Sequence, residues 1–246
     1  MTSTPAPTFD NLLLIARPAA GKSEIIAHLK NTPLPDRIEH FHIGAFQELD
    51  DFPLLWTWFE EDAILEELGH PRLHTDQDGN FKYPYLWDLL IRRINLEHEK
   101  LLRDQPDFYQ DGTLIIEFAR GTSHGGFQRA FAHLSRGIAE RLAVLYINVS
   151  WEESLRKNRA RYNPERPDSI LEHGLSDRKM QELYRGSDWD QIQAVDPALI
   201  NIQGVDVPYV VFENEDDVTT RGGSALTARL SECLDRLYTA HQARSG

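Results

Sequence analysis

The stretch that constrains this chain most is residues 11–30, NLLLIARPAAGKSEIIAHLK. An apolar run, NLLLIA, breaks into a short turn, and the turn opens directly into KSEIIAHLK, whose apolar residues recur at helical spacing. A buried strand, a tight loop and a helix start in that order aim backbone amides and the helix dipole at one point. That arrangement suits an anion such as phosphate.

Beyond it, short apolar runs alternate with helical patterns, the mark of a parallel sheet covered by helices. Strands are expected at 11–16, 37–43, 113–118, 143–149 and 208–213, and helices at 22–30, 126–141, 151–161, 176–184 and 224–241. Four of the strands are dense in Leu, Ile and Val, as burial of both sheet faces requires. The second carries His40 and His42 instead, on one face, and as a pair they lack further ligands for a metal. In the last helix Leu226, Leu230, Leu234 and Leu237 make one apolar stripe. Ser176 and Ser224 suit helix N-caps. Strands two and three are separated by about 70 residues, too many for an ordinary crossover. Helical patterns at 54–68 and 85–102 therefore predict a helical insertion over 50–110. Residues 186–207 read as loop-rich, with weak helical potential.

Composition narrows the partners. The chain has 246 residues, 41% hydrophobic and 26% charged, ordinary for a folded protein. Its net charge of −13 disfavours nucleic acid and anionic membranes, so phosphate binding must come from a local basic cluster. Cys233 is the single cysteine, which excludes an internal disulfide framework and fits a reducing cytoplasm. The first ten residues carry no Lys or Arg, and the apolar run 12–16 is short. No export or membrane segment is expected.

ARPAAGKS, residues 16–23, resembles the Walker A motif of P-loop NTPases. The resemblance implies that Arg17, Pro18, Ala19, Ala20, Gly21, Lys22, Ser23 and Glu24 cradle the phosphates of ATP. Lys22 would reach the β- and γ-phosphates and Ser23 would ligate Mg²⁺. Ala16 stands where the motif has its first glycine, so a remodelled loop entry is expected.

Three further features sort the P-loop classes, and the base-reading Asn-Lys-x-Asp signal of GTPases is absent. TLIIEFARG resembles the end of strand three in nucleotide and nucleoside kinases. There Glu117 would hold Mg²⁺ or polarise the attacking group, and Arg120 would clamp an anionic substrate. WEESLRKNRARYNPER sets Arg156, Lys157, Arg159, Arg161 and Arg166 against Glu165. It resembles the arginine-bearing lid of nucleoside-monophosphate-kinase-like enzymes, here over 151–186, with a solvated basic face as the alternative. Such crowding of like charge should be unfavourable without a bound triphosphate. Asn214, after the last strand, resembles the loop that packs on adenine.

On the acceptor side, Asp50 or Asp51 would take the proton of a substrate hydroxyl, although Asp-Asp-Phe-Pro equally suits a helix start. Trp56, Trp58, Phe59, Phe81, Tyr83, Tyr85 and Trp87 supply core, with some free to stack on a planar substrate. His173 is placed to reach phosphates. The expected fold is therefore α/β, a single domain over 1–246: three layers, α/β/α, around a five-stranded parallel sheet of P-loop kinase type. The implied activity is transfer of the γ-phosphoryl group of Mg-ATP to a nucleoside, nucleotide or related metabolite. Lys22, Asp50, Asp51, Glu117, Arg156, Arg159 and Arg161 would be the catalytic set. The alternative is a nucleotide-binding regulator or NTPase whose aromatic insertion docks a partner.

Overall fold

The computed structural model describes residues 8–161, 165 and 175–245. The chain begins with β1 (Asn11–Ala16), α1 (Lys22–Asn31), α2 (Leu34–Phe41), β2 (Ala45–Asp50), α3 (Phe52–Glu67) and α4 (Tyr85–Asp104). It continues through β3 (Gly112–Phe118), α5 (Gly126–His133), α6 (Arg136–Ala139), β4 (Leu142–Asn148), α7 (Trp151–Arg161) and α8 (Asp177–Tyr184). Last come α9 (Trp189–Val195), β5 (Leu199–Ile202), β6 (Val205–Glu213), α10 (Val218–Arg221) and α11 (Gly223–Ser245).

β1 explains the layering. Successive side chains of a strand point to opposite faces, so a continuous apolar run requires cover on both. Leu13 and Ile15 join one core with Ile116, Val144 and Tyr146, closed by Ile91 and Ile94 of α4, Phe127 and Phe131 of α5, and Trp189 of α9. Leu12, Leu14 and Ala16 join the other with Ile115, Leu145 and Ile147, closed by Ile25 and Leu29 of α1, Phe41 of α2, and Leu230 and Leu234 of α11. Helices on both faces of one sheet make three layers.

The sheet has six strands, not five, in the order β2-β3-β1-β4-β6-β5. All neighbours run parallel except β5 and β6. β5 and α9 occupy the stretch expected as loop. The sheet closes there in a hairpin whose Gln203 and Gly204 both have positive φ, 55° and 75°, the paired left-handed geometry of a tight two-residue turn. Asn-Gly would have announced that turn; Gln-Gly does not.

The second strand also lies elsewhere. Residues 37–41 belong to α2, which carries a proline in its first turn and ends on His42 in the left-handed conformation, φ 55°. β2 follows at the sheet edge with the mixed sequence AFQELD, so it lacks the apolar density of a central strand. His40 and His42 therefore share no strand face. His42 stacks on Tyr238 at 4.1 Å and pairs with Asp235 at 2.9 Å. Among the described residues no group of three or more His, Cys, Asp or Glu is arranged to hold a metal ion.

The helix expected over 126–141 breaks in two. Leu134 is extended, and the Ser135 hydroxyl accepts from Ile138 N to start α6. Asn95 of α4 holds the break by accepting from Ser135 N and donating to His133 O. Ser176 caps α8. α11 begins at Gly223, so Ser224 lies inside it rather than capping it, while its leucine stripe is buried as expected. No described helix is long and apolar enough to cross a membrane.

Candidate active site

The parallel strands deliver their C-terminal ends to one edge of the sheet. Ala16 pairs with Ile147, Ile15 with Phe118, and Asp50 with Glu117. The loop after β1 and the two carboxylates are therefore neighbours by strand register alone, in the crevice where open α/β sheets bind ligands.

Ala16 stays in regular β1 geometry, so the remodelled loop entry does not occur. The left-handed residues come later, Ala19 at φ 56° and Gly21 at φ 119°. A Cβ on Gly21 would also lie 2.6 Å from Thr219 Oγ1 and 2.8 Å from Asn214 Nδ2, so conformation and space both demand glycine there. Asn214 is the correction to the adenine reading. It is fully buried, donates to Ala20 O and Thr219 Oγ1 at 2.8 Å each, and accepts from Thr219 N. It shapes the phosphate loop rather than packing on a base. Ser154 does likewise, donating to Pro18 O at 2.8 Å. The Arg17 guanidinium ties the loop to the end of α8, bonded to Tyr184 O at 2.5 Å and Arg185 O at 3.0 Å.

A cavity of about 410 Å³ lies between residues 19–24 and Arg156, Lys157 and Arg161 of α7. The expected crowding of unmatched cations is not found for Arg156, Lys157 and Arg159, because Glu153 on the same helix and acids distant in sequence meet them. Arg156 pairs with Glu153 at 2.5 Å and Asp217 at 2.8 Å. Lys157 is buried and bonded to Asp217 at 2.6 Å and Thr219 Oγ1 at 3.1 Å, with Glu24 at 3.9 Å. Arg159 pairs with Asp177 at 2.6 Å and does not line the cavity. Arg161 lines both this cavity and the cleft beyond it. Arg166 and His173 lie outside the described residues.

The cleft, about 120 Å³, brings Lys22 and Ser23 against Asp50, Glu117 and Arg120. Burial first, then the charges of Glu117 and Asp51, push the Asp50 carboxyl up to about 8. Burial also raises Glu117, which Lys22 and a hydrogen bond from Asp50 pull partly back. Two buried carboxyls this close cannot both ionise readily, so the pair shares a proton near neutral pH.

Asp51 differs. It is buried at the N-cap position of α3, yet its side chain does not cap; Asp50 Oδ1 takes Phe52 N–H instead, at 2.9 Å. Asp51 Oδ2 sits 2.6 Å from Arg120 Nη2, off the angle of a hydrogen bond, so their attraction is coulombic. Arg120 is 4% exposed, donates to Ala119 O, and lies over Trp87 and Phe118 at 5.1 and 5.4 Å. The two neutralise each other. Asp51 is not free to act as a base, and Arg120 is not a free clamp for an anion.

Beyond the cleft opens a cavity of about 700 Å³, sharing Phe52, Leu55, Trp87 and Tyr184 with it. Trp56, Phe59 and Phe81 add further aromatic wall. Trp58 is core, while Tyr83 and Tyr85 stack on each other at the surface. Sequence reasoning missed Tyr184 and His124 in this wall, Asn158 in the cleft, and Ser154 and Thr219 beneath the loop. Their roles depend on contacts across 100 residues or more in the case of Ser154, for which no local pattern exists.

No family model matches the chain, and no curated protein does. Two solved structures align over nearly all of it. One is a gluconokinase from Sinorhizobium meliloti 1021, 13% identical, covering 99% of this chain and 100% of that one, with a TM-score of 0.41. The other is APE1195, 14% identical, covering 98% of each chain, with a TM-score of 0.40. At those scores the likenesses say nothing about what this chain acts on.

Proposed function

We propose that this chain is a P-loop phosphotransferase that moves the γ-phosphoryl group of ATP to a hydroxyl of a small-molecule acceptor, a nucleoside, nucleotide or related metabolite. The observation that carries the reading is the cleft, where Lys22 and Ser23 meet the buried Asp50–Glu117 pair between a cation-walled cavity and an aromatic one. In this reading residues 19–24 and Lys22 hold the phosphates, and Arg161, common to cavity and cleft, faces charge developing on the transferring group. With Glu117 ionised toward the metal, Asp50 is the carboxylate that takes the proton of the acceptor hydroxyl. Residues 50–110 hold the acceptor, and α7 and α8 belong to a lid over 151–186, of which 162–164 and 166–174 lie outside the described residues.

Ser23 and Glu117 offer only oxygen donors, as a hard divalent cation prefers. A nucleotide-held Mg²⁺ needs just one or two protein oxygens. Bound there, Mg²⁺ would neutralise phosphate charge.

The test is a panel of candidate acceptors assayed for transfer from γ-labelled ATP. Lys22→Ala should lower transfer by about 100-fold or more, since a fixed cation at the phosphates acts on the transition state, with the circular dichroism spectrum unchanged. Near-normal transfer in that variant removes the reading. ADP release that no acceptor accelerates would favour a nucleotide-binding regulator instead.

A further inference from the structure

His124 is a buried group that the reaction above does not use. It follows β3 in a short turn, Thr122–His124, is 4% exposed, and lines the aromatic cavity. Trp87 stacks on it at 3.7 Å and Tyr184 meets its edge at 5.0 Å, so the ring cannot swing away. Gly121 N donates to its Nδ1 at 3.4 Å, which leaves the ring proton on Nε2. Nε2 finds no hydrogen-bond partner among the described residues. Burial, and then Arg120, lower its pKa to about 3, so the imidazole is neutral at working pH. A neutral ring N–H that is buried without a partner, on a residue that lines a cavity, is costly unless whatever fills the cavity brings it an acceptor atom.

The charges of the cavity bear on the same ligand. Its described lining includes no arginine. The charged residues there are Asp78, Glu182 and Lys179, and Lys179 is bonded to Asn80. Of the two arginines of the cleft, Arg120 is neutralised by Asp51, and Arg161 lies toward the phosphate-side cavity, which it also lines. Among the described lining, a phosphate on the acceptor would meet two acids, one lysine already bonded to Asn80, and no bidentate guanidinium. Flat aromatic walls, in turn, are matched by a flat ring and left wet by a polyol.

We infer that the acceptor is an unphosphorylated heteroaromatic alcohol: its ring lies among the aromatic side chains of the cavity, Phe52, Trp56 and Phe59, and offers a hydrogen-bond acceptor to His124 Nε2, while its hydroxyl arm reaches Asp50 and Glu117. The inference rests on the phosphotransferase reading for the role of that hydroxyl, but not for the ring.

The two parts are separable by experiment. Trp56 and Trp87 line the cavity, so ligand entry should quench tryptophan fluorescence without ATP. The probes are adenosine and thymidine, their 5′-monophosphates, and glucitol. At least one nucleoside should quench saturably and accept label from γ-labelled ATP. The matching monophosphate and glucitol should bind at least tenfold more weakly. His124→Phe keeps an aromatic ring but loses the donor, so Kd and KM should rise by about tenfold, with kcat and Tm little changed. His124→Gln restores an N–H and should recover part of the loss. No quenching by either nucleoside, preference for a monophosphate or glucitol, or unchanged binding in His124→Phe each overturns the inference. Saturable nucleoside binding without transfer upholds the ligand class and overturns the phosphotransferase reading. Transfer to glucitol does the reverse.

Discussion

Asp50 and Asp51 are adjacent in sequence, both withdrawn from solvent, and opposite in what their charges do. Asp50 faces Glu117, and its carboxyl is raised to about 8 by burial and by the charges of Glu117 and Asp51. The folded state thus holds a proton that the unfolded chain releases near the ordinary carboxylate value. Stability from this group is complete below that value and is lost as the pH rises toward 8. Asp50→Asn mimics the protonated form. Its melting temperature should therefore gain on the parent's between pH 5 and pH 8.5, and parallel pH profiles would refute the shared proton. Asp51→Asn should behave in the opposite way. It leaves the buried Arg120 charge without its partner at 2.6 Å, a loss that runs to about 3–5 kcal/mol for buried pairs. Denaturant melts of both variants at pH 7 separate the two roles. A stable Asp51→Asn protein would return that carboxylate to the list of possible bases. No reading of Asp-Asp in sequence distinguishes them, because the difference lies in Glu117 and Arg120 across the sheet.

At the scale of elements, the irregular segment between α3 and α4 is pinned to α3 by a buried side chain. Asp62 on α3 is fully buried and accepts from Leu73 N, Thr75 N and Thr75 Oγ1 at 2.6 Å each, and from His74 N at 3.1 Å. Burial alone would raise its pKa, but the Thr75 hydroxyl and the three amides outweigh that and hold the carboxylate well below its usual range. Its contribution is therefore present at neutral pH and is lost as the pH falls below the ordinary carboxylate value. Asp62→Asn turns an acceptor into a partial donor facing three N–H groups. Hydrogen exchange over residues 72–82 should rise by about tenfold or more, as expected when a buried donor loses its acceptor, while β1, β3 and β4 stay protected. Uniform loosening of the whole molecule would show that the pin is not local. The helices on either side were legible from their apolar periodicity; the pin was not, since a lone Asp inside an amphipathic pattern reads as a surface residue. The same contrast runs through the sheet. β1, β3 and β4 are buried on both faces and announce themselves by continuous Leu, Ile and Val, whereas β2 and β5 are edge strands with polar residues, and these were misplaced or missed.

At the scale of the molecule, the candidate site is assembled from segments distant along the chain. The phosphate loop comes from residues 16–23, the carboxylates from β2 and β3, the cations from α7, and the support under Gly21 from Asn214 and Thr219 after β6. The strand, turn and helix over residues 11–31 were readable because they are contiguous. The supports of the turn were not, being contacts of residues 18–21 with Ser154 of α7 and with Asn214 and Thr219 beyond β6, more than 100 residues away. A site built this way exists only in the folded chain, so a nucleotide that fits it should bind the native state alone. At a ligand concentration 100 times Kd, such binding stabilises by about 2.7 kcal/mol. For a chain of this size that is a rise in melting temperature of about 5–10 °C. Mg-ATP should produce it in the parent protein as a single cooperative transition, and Lys22→Ala should abolish most of it without changing the ligand-free melting temperature. Thr219→Val should weaken it too, from beneath the loop, because Asn214 then loses a partner that positions Ala20. Equal shifts in parent and Lys22→Ala protein would mean that ATP binds elsewhere on an acidic surface, and the phosphate loop would have lost its ligand.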